Sequence, residues 1–394
     1  MRNIPSLEIN LDIIKDNYRK LTEVCTSLVG ASVKADAYGL GATQVSKTLF
    51  NCGCNNFFVA NLDEAISLRK VVKSANIFVL NGIFYGEEEY FEEFDLIPVI
   101  SDLYQLKIIK DFKLQNRNSS AILSKNDSKL IASQKNISDN NSTTTQHIKQ
   151  KQKIAIHFET GMNRFAMPQN QFEQILKDKT LIEGLDLCLV MSHLSSAGES
   201  ENDENYRQLH KFNFLRKQFP QSIASLANSE GIFLGPEFHF DLTRPGAAIY
   251  GLRFNDKMSI FSNPVKLFTN IIQVKEVQKS ESIGYNQTCR LKKDLMVGTI
   301  PVGYADGLST TLSNIGYCFV NGYKANILGR VSMDFINIDL TNVPEHYRRI
   351  GQKVDIICDK LRPDEIAKFS NLLAYEVLTS LGTRHKRVYK EKKK

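Results

Sequence analysis

No stretch of the chain approaches the ~18 consecutive apolar residues that a membrane-spanning helix needs. The first ten residues, Met1-Arg-Asn-Ile-Pro-Ser-Leu-Glu-Ile-Asn10, hold no apolar segment of the kind that marks a secretory leader. Cysteine is sparse and odd in number, seven residues at positions 25, 52, 54, 188, 289, 318 and 358. Cys52-Gly-Cys54 is the one close pair, and no second pair or histidine cluster completes a metal site, so no metal is expected. Free thiols fit a reducing compartment, and the expected location is cytoplasmic. No Gly-x-Gly-x-x-Gly opens the first strand–helix unit, which argues against a dinucleotide-binding doubly wound sheet. The formal charge is only +7. Part of that excess lies in the segment Lys386 to Lys394 and part in a polar stretch before Ile154, both read as solvated. A nucleic-acid binder would cluster bases on a folded face with aromatics between them, so neither nucleic acid nor membrane is expected as a partner.

What is present is enough chain for two domains, 394 residues with 42% hydrophobic and 24% charged content. Leu7-Glu8-Ile9-Asn10-Leu11 alternates as a short strand, and Asn10 or Asp12 can cap the helix after it. From Leu28 the pattern becomes regular. Strands are expected at 28–33, 56–60, 76–80, 96–100, 153–158, 185–191, 222–226 and 238–241, separated by helical segments. Eight such alternations are the count and order of a (β/α)8 barrel, with an open doubly wound sheet as the structural alternative.

The alternation is interrupted from about Lys113 to Gln152, a stretch rich in Asn, Ser, Lys and Gln without Gly or Pro. It cannot bury enough apolar surface to offset chain ordering and reads as a disordered insertion without a catalytic role. Beyond about Pro245 the alternation with helices stops and short strands with Gly and Asn turns take over, including a long one at 268–277, with helices expected only at 363–369 and 372–381. The expected organisation is α/β followed by β. Residues 1–10 form a strand joining the C-terminal part, 11–245 a barrel containing the 113–152 insertion, 246–386 a mainly β domain and 387–394 a basic tail.

Barrel active sites sit at the C-terminal ends of the strands. The residues just past each strand form a chemically coherent set. Lys34 and Tyr38 come after the first, Glu159 to Arg164 after the fifth, Ser192-His193 after the sixth, Asn228-Ser229 after the seventh and Thr243-Arg244-Pro245-Gly246 after the eighth. Each alone has an ordinary structural reading; their convergence on one face carries the argument. A lysine ending an apolar strand is partly desolvated and its pKa falls, which lets it form a Schiff base. Ser229 and the backbone near Gly246 can donate to a phosphate. A reactive lysine beside a phosphate cradle suggests pyridoxal 5′-phosphate.

The stretch Val33-Lys34-Ala35-Asp36-Ala37-Tyr38-Gly39-Leu40-Gly41 resembles the cofactor-attachment signature of the alanine racemases, the fold-type III pyridoxal-phosphate enzymes. The resemblance continues through Glu159 to Arg164, Ser192-His193-Leu194, Ala227-Asn228-Ser229, Thr243 to Gly246, Ile283-Gly284-Tyr285, Pro301 to Gly307, Gly329 to Asp334 and Tyr375-Glu376. It implies a TIM-type barrel followed by a β domain, and a homodimer with shared active sites that interconverts L- and D-alanine for peptidoglycan. Lys34 would hold the cofactor and act as one acid/base, and Tyr285 from the partner subunit would be the other. Tyr38, Asn228, Ser229, Gly246, Ala247 and Tyr375 would surround the phosphate. His193 would lie against the ring and Arg244 would donate to its nitrogen. Arg164 and Met333 would help receive the substrate carboxylate, and Tyr304 would line the approach.

Two positions depart from the family pattern. His157 stands where many members carry a carbamylated lysine, so Arg164 must be held by something else, chloride or His157 itself. Ser225 stands where many carry a histidine bonded to the pyridine-facing arginine. Such changes tune rate and pKa while keeping the reaction. Racemases acting on serine or several amino acids are the nearest alternative, and a non-catalytic pyridoxal-phosphate protein a more distant one.

Overall fold

In the computed structural model, which describes residues 4–114 and 151–392, eight short parallel strands close on themselves. The first strand is split at Gly30 into Leu28–Val29 and Ala31–Ser32. Its lower half pairs with the eighth strand, Leu242–Thr243, and its upper half with the second, Asn56–Val59. The interruption has a steric cause. A Cβ on residue 30 would meet Asn56 O and the Phe58 ring at 3.0 Å and Thr243 O at 3.3 Å, so only glycine lets both neighbours approach. From there pairing runs in order through Asn76–Val79, Ile97–Ile100, Gln152–His157, Leu185–Met191 and Ile223–Ser225. Backbone bonds from Asp241 N to Ala224 O and from Arg244 N to Ala227 O join the seventh strand to the eighth.

Inside the barrel, Phe58 stacks on Phe78 with ring centroids 4.7 Å apart, packed with Val99, Leu189, Met191 and Leu242. These side chains fill the barrel floor, and the residues past the C-terminal ends of the strands line a cavity above it. The helices pack their apolar faces outside. The first, Leu11–Val24, is capped by Asn10, whose side chain accepts from Ile13 N at 3.1 Å.

The second sheet has nine strands. Both ends of the described chain belong to it. Ser6–Asn10 lies between Val265–Asn270, antiparallel, and Lys386–Lys390, parallel. Lys386–Lys390 was expected within or beside a solvated tail; it is instead an edge strand in register with Glu8 and Ile9.

Two strand expectations are also corrected. The eighth barrel strand is Leu242–Thr243, not 238–241. Pro236 starts a tight 3₁₀ turn ending at Phe238, Phe240 takes φ 51°, and His239 is turned aside to bond Thr26 N and Ile232 O. The expected strand at 268–277 is two, Val265–Asn270 and Gln273–Val277. At Ile271 and Ile272 the chain changes partners, bonding first Gln352 O and then Thr299 O. The expected insertion at 113–152 lies almost wholly outside the described residues.

Candidate active site

The space above the barrel floor is a cavity of about 620 Å³. It gathers Lys34, Tyr38, Arg164, His193, Asn228, Ser229, Arg244, Gly246, Ala247 and Tyr375, each proposed from its place after a strand or from the family pattern. His157 lines it as well, as do Phe58, Asn81, Phe165 and Thr379, which sequence reasoning did not single out. Among the described residues no Asp or Glu lines the cavity.

Lys34 ends the first strand, and the backbone after it does something the sequence did not announce. Ala35, Asp36, Ala37 and Tyr38 have φ of 52°, 54°, 53° and 56°, a full left-handed helical turn without a glycine. Each such residue costs roughly 1–2 kcal/mol, so the surroundings must over-determine the turn. They do so from several sides. Ala37 N donates to Val33 O and Gly41 N to Asp36 O. Asp36 Oδ1 accepts from Ala42 N at 2.7 Å. The Tyr38 ring packs against Tyr250 and Tyr375, with centroids 4.6 and 5.8 Å away. From the second sheet, Arg387 donates to Gly39 O and Tyr389 Oη to Leu40 O.

The electrostatics stem from burial among like charges. Burial lowers the Lys34 pKa, Arg164 lowers it further, and Glu64 opposes both. His157 is pushed down to about 3, by burial first and then by Arg244 and Arg164. His193 is held well below its ordinary value by burial and the same cations. Both imidazoles are therefore neutral near pH 7. Arg244 is buried, and its pKa falls to about 9 through desolvation, so it remains a cation there. It donates to Ser225 Oγ and to the Ser192 and Leu226 carbonyls. Ser225, one of the two departures from the family pattern, thus supplies a neutral acceptor for Arg244, and donates its own proton to Leu242 O. Arg164 is exposed and, among the described residues, has no hydrogen-bonded partner; no bond ties it to His157.

In the same cavity, backbone donors converge on Ser229. Ser229 Oγ accepts from Gly246 N at 3.0 Å and Ala248 N at 3.1 Å, which leaves its own proton to donate. A Cβ on residue 246 would come within 2.3 Å of Tyr38 Oη, so glycine here lets the Tyr38 hydroxyl reach the same turn. Hydroxyls, backbone amides, two guanidiniums and a depressed lysine, with no lining carboxylate, suit a ligand that brings a phosphate and a second anion. Pyridoxal 5′-phosphate with an amino-acid carboxylate matches that donor set.

Tyr285, Met333 and Tyr304 lie elsewhere, on the surface of the second sheet's region. Tyr285 is 69% exposed in the loop between Ser282–Ile283 and Cys289–Arg290. Tyr304 N bonds Ser332 O and Ala305 N bonds Met333 O, so these two segments are packed together. Arg384 joins them by pairing with Asp306 and Asp334. One chain alone does not bring this group to its own cavity.

Comparison with known proteins agrees with this layout. Residues 9–254 match the family model for the alanine racemase N-terminal domain, and residues 265–389 that for the alanine racemase C-terminal domain. An alanine racemase of Rickettsia canadensis is 42% identical over 98% of each chain, and that of Rickettsia typhi 38% identical over 98% of each. Among solved structures, an alanine racemase from Bartonella henselae with covalently bound pyridoxal phosphate superposes with a TM-score of 0.85 at 29% identity, covering 98% of this chain and 99% of that one. The biosynthetic alanine racemase of Pseudomonas aeruginosa gives 0.83 at 26% identity, covering 99% and 100%.

Proposed function

The chain belongs to the alanine racemase family, and on that premise we propose that it interconverts L- and D-alanine with pyridoxal 5′-phosphate held by Lys34. The observation that carries the reading is a lysine of lowered pKa at the end of the first barrel strand, in one cavity with a hydroxyl-and-amide cradle and, among the described residues, no lining carboxylate. When bound, the cofactor draws electrons from the carbon that carries the amino group and so acidifies its proton. Everything else falls to the chain's own residues.

Lys34 Nζ takes and returns that proton on one face. Its lowered pKa leaves more of the amine neutral near pH 7, as a base requires. Inversion needs a second acid/base on the opposite face of the trigonal carbon. Neither imidazole suits, because each is held neutral at a pKa far from that of an amine. Tyr285 of a second copy takes this role, which its exposure supports. Arg164 receives the substrate carboxylate, with the Met333 amide beside it. Tyr38, Asn228, Ser229, Tyr375 and the Gly246-Ala247 backbone hold the phosphate. Arg244 can only donate a hydrogen bond, so it leaves the pyridine nitrogen unprotonated and limits electron withdrawal, which disfavours transamination. The active species is a homodimer with shared sites, and its product supplies D-alanine for peptidoglycan. A reducing cytoplasm suits its seven free cysteines.

The test is direct. Purified protein should interconvert the alanine enantiomers, followed by optical rotation, and prefer alanine to serine. Borohydride should bleach the visible chromophore and fix the reduced cofactor onto the peptide containing Lys34. A strong serine preference would reassign the substrate, and a label on any other lysine would overturn the assignment of Lys34.

A further inference from the structure

Resting on the functional reading above, we infer that Glu64 is a positioning residue: its two carboxylate oxygens tie Ala35, where the left-handed turn begins, to Ala60 at the end of the second barrel strand, and so fix the backbone that presents Lys34 to the cavity.

The sequence places Glu64 in the first turn of the helix Leu62–Arg69, three residues after its cap Asn61. Asn61 Oδ1 accepts from Glu64 N at 3.0 Å, half of an ordinary capping arrangement. The other half would bring the glutamate back to the cap's own N–H. Here the carboxylate goes elsewhere. Oε1 accepts from Ala35 N at 2.8 Å and Oε2 from Ala60 N at 2.7 Å. The first amides of a helical turn have no internal acceptor, whatever its hand. Glu64 supplies one for the left-handed turn, with a charged partner that makes the bond short and strong. Ala60 and Ala35 both line the cavity, so the clamp sets the spacing of its wall beside Lys34.

Charge gives a second, separable effect. Of the groups acting on Lys34, Arg164 opposes its ammonium form and Glu64 favours it. His157, His193 and Arg244 share the cavity, the first two neutral. Asp36, two residues on, is turned toward Ala42 N and Arg387. Glu64 is thus the carboxylate that keeps the lysine's pKa from falling further.

The two effects separate in Glu64→Gln and Glu64→Asp, made in the full-length chain. Two readouts are taken: loss of bound pyridoxal phosphate during dialysis, and the pH dependence of its re-attachment, both by visible absorbance. Glu64→Gln keeps the length but loses the charge and one acceptor. Cofactor loss should quicken by roughly 10-fold or more, and the re-attachment inflection should move to lower pH. Glu64→Asp keeps the charge but is one methylene short, so the inflection should stay near the parent's while retention still weakens. A Gln variant that melts, retains cofactor and titrates like the parent overturns the inference. If the Gln variant does not fold, parent-like retention in the Asp variant overturns it instead. A parent chain that takes up no pyridoxal phosphate refutes the functional reading itself and is recognised before any variant is made.

Discussion

Two imidazoles share the cavity with Lys34, Arg164 and Arg244, and burial beside those cations keeps both uncharged. Their neutrality makes stability depend on pH. His157 has a pKa of about 3 when folded against an ordinary 6.5. Between those values the unfolded chain binds the extra proton and the folded chain does not. Stability contributed by the neutral imidazole is therefore present above about pH 6.5 and is lost as pH falls toward 3. His193 acts in the same direction. The melting temperature should fall between pH 7 and 5, and less steeply in His157→Asn; equal slopes in parent and variant would count against the assignment. At this scale the sequence was readable where chemistry sits at a strand end. Lys34, His193, Ser229 and Arg244 all do, and all line one cavity. It was not readable where a residue acts through a neighbour. Glu64 looks like any acid opening a helix, because nothing local shows that its carboxylate leaves the helix to meet Ala35.

Two elements meet behind the lysine, the left-handed turn and the C-terminal strand Lys386–Lys390. Neither was legible. Ala, Asp and Tyr seldom adopt positive φ, so Ala35 to Tyr38 carries no local mark of its conformation. Lys386–Lys390 alternates poorly and is mostly charged, so it reads as solvent-facing chain, and its pairing with Ser6–Asn10 depends on residues nearly the whole chain length away. By contrast the barrel strands, buried on both faces, are apolar runs that declare themselves. The strand's role predicts an effect at a distance. Arg387 binds Gly39 O and pairs with Asp36 at 3.8 Å. Arg387→Ala removes a charge-assisted bond worth about 2 kcal/mol. The denaturation midpoint should drop accordingly and the cofactor should dialyse away faster than from the parent. A drop in stability with unchanged cofactor retention would confine the strand's role to the sheet.

For the whole molecule the governing feature is that the residues of the proposed chemistry are divided. Lys34 opens into the cavity of its own chain, while Tyr285, Tyr304 and Met333 are exposed on the second region, where Arg384 pairs with Asp306 and Asp334 and so joins the segments of Tyr304 and Met333. The two residues proposed as bases for the two faces, Lys34 and Tyr285, are both present, but not in one place. If two copies exchange these surfaces, each site takes Lys34 from one chain and Tyr285 from the other. Lys34→Ala and Tyr285→Phe should each be inactive when pure, the first without the visible chromophore and the second retaining it. Mixed after mild dissociation, they should recover activity. A hybrid has one site with both changes and one with neither, and random pairing makes half the dimers hybrids, so about 25% of parental activity should return. Recovery requires intact Lys34 and intact Tyr285 to meet across an interface, which no monomeric arrangement permits. A mixture that forms hybrids, shown by mass-tagged chains, yet stays inactive would place both bases within one chain and remove the need for the second copy.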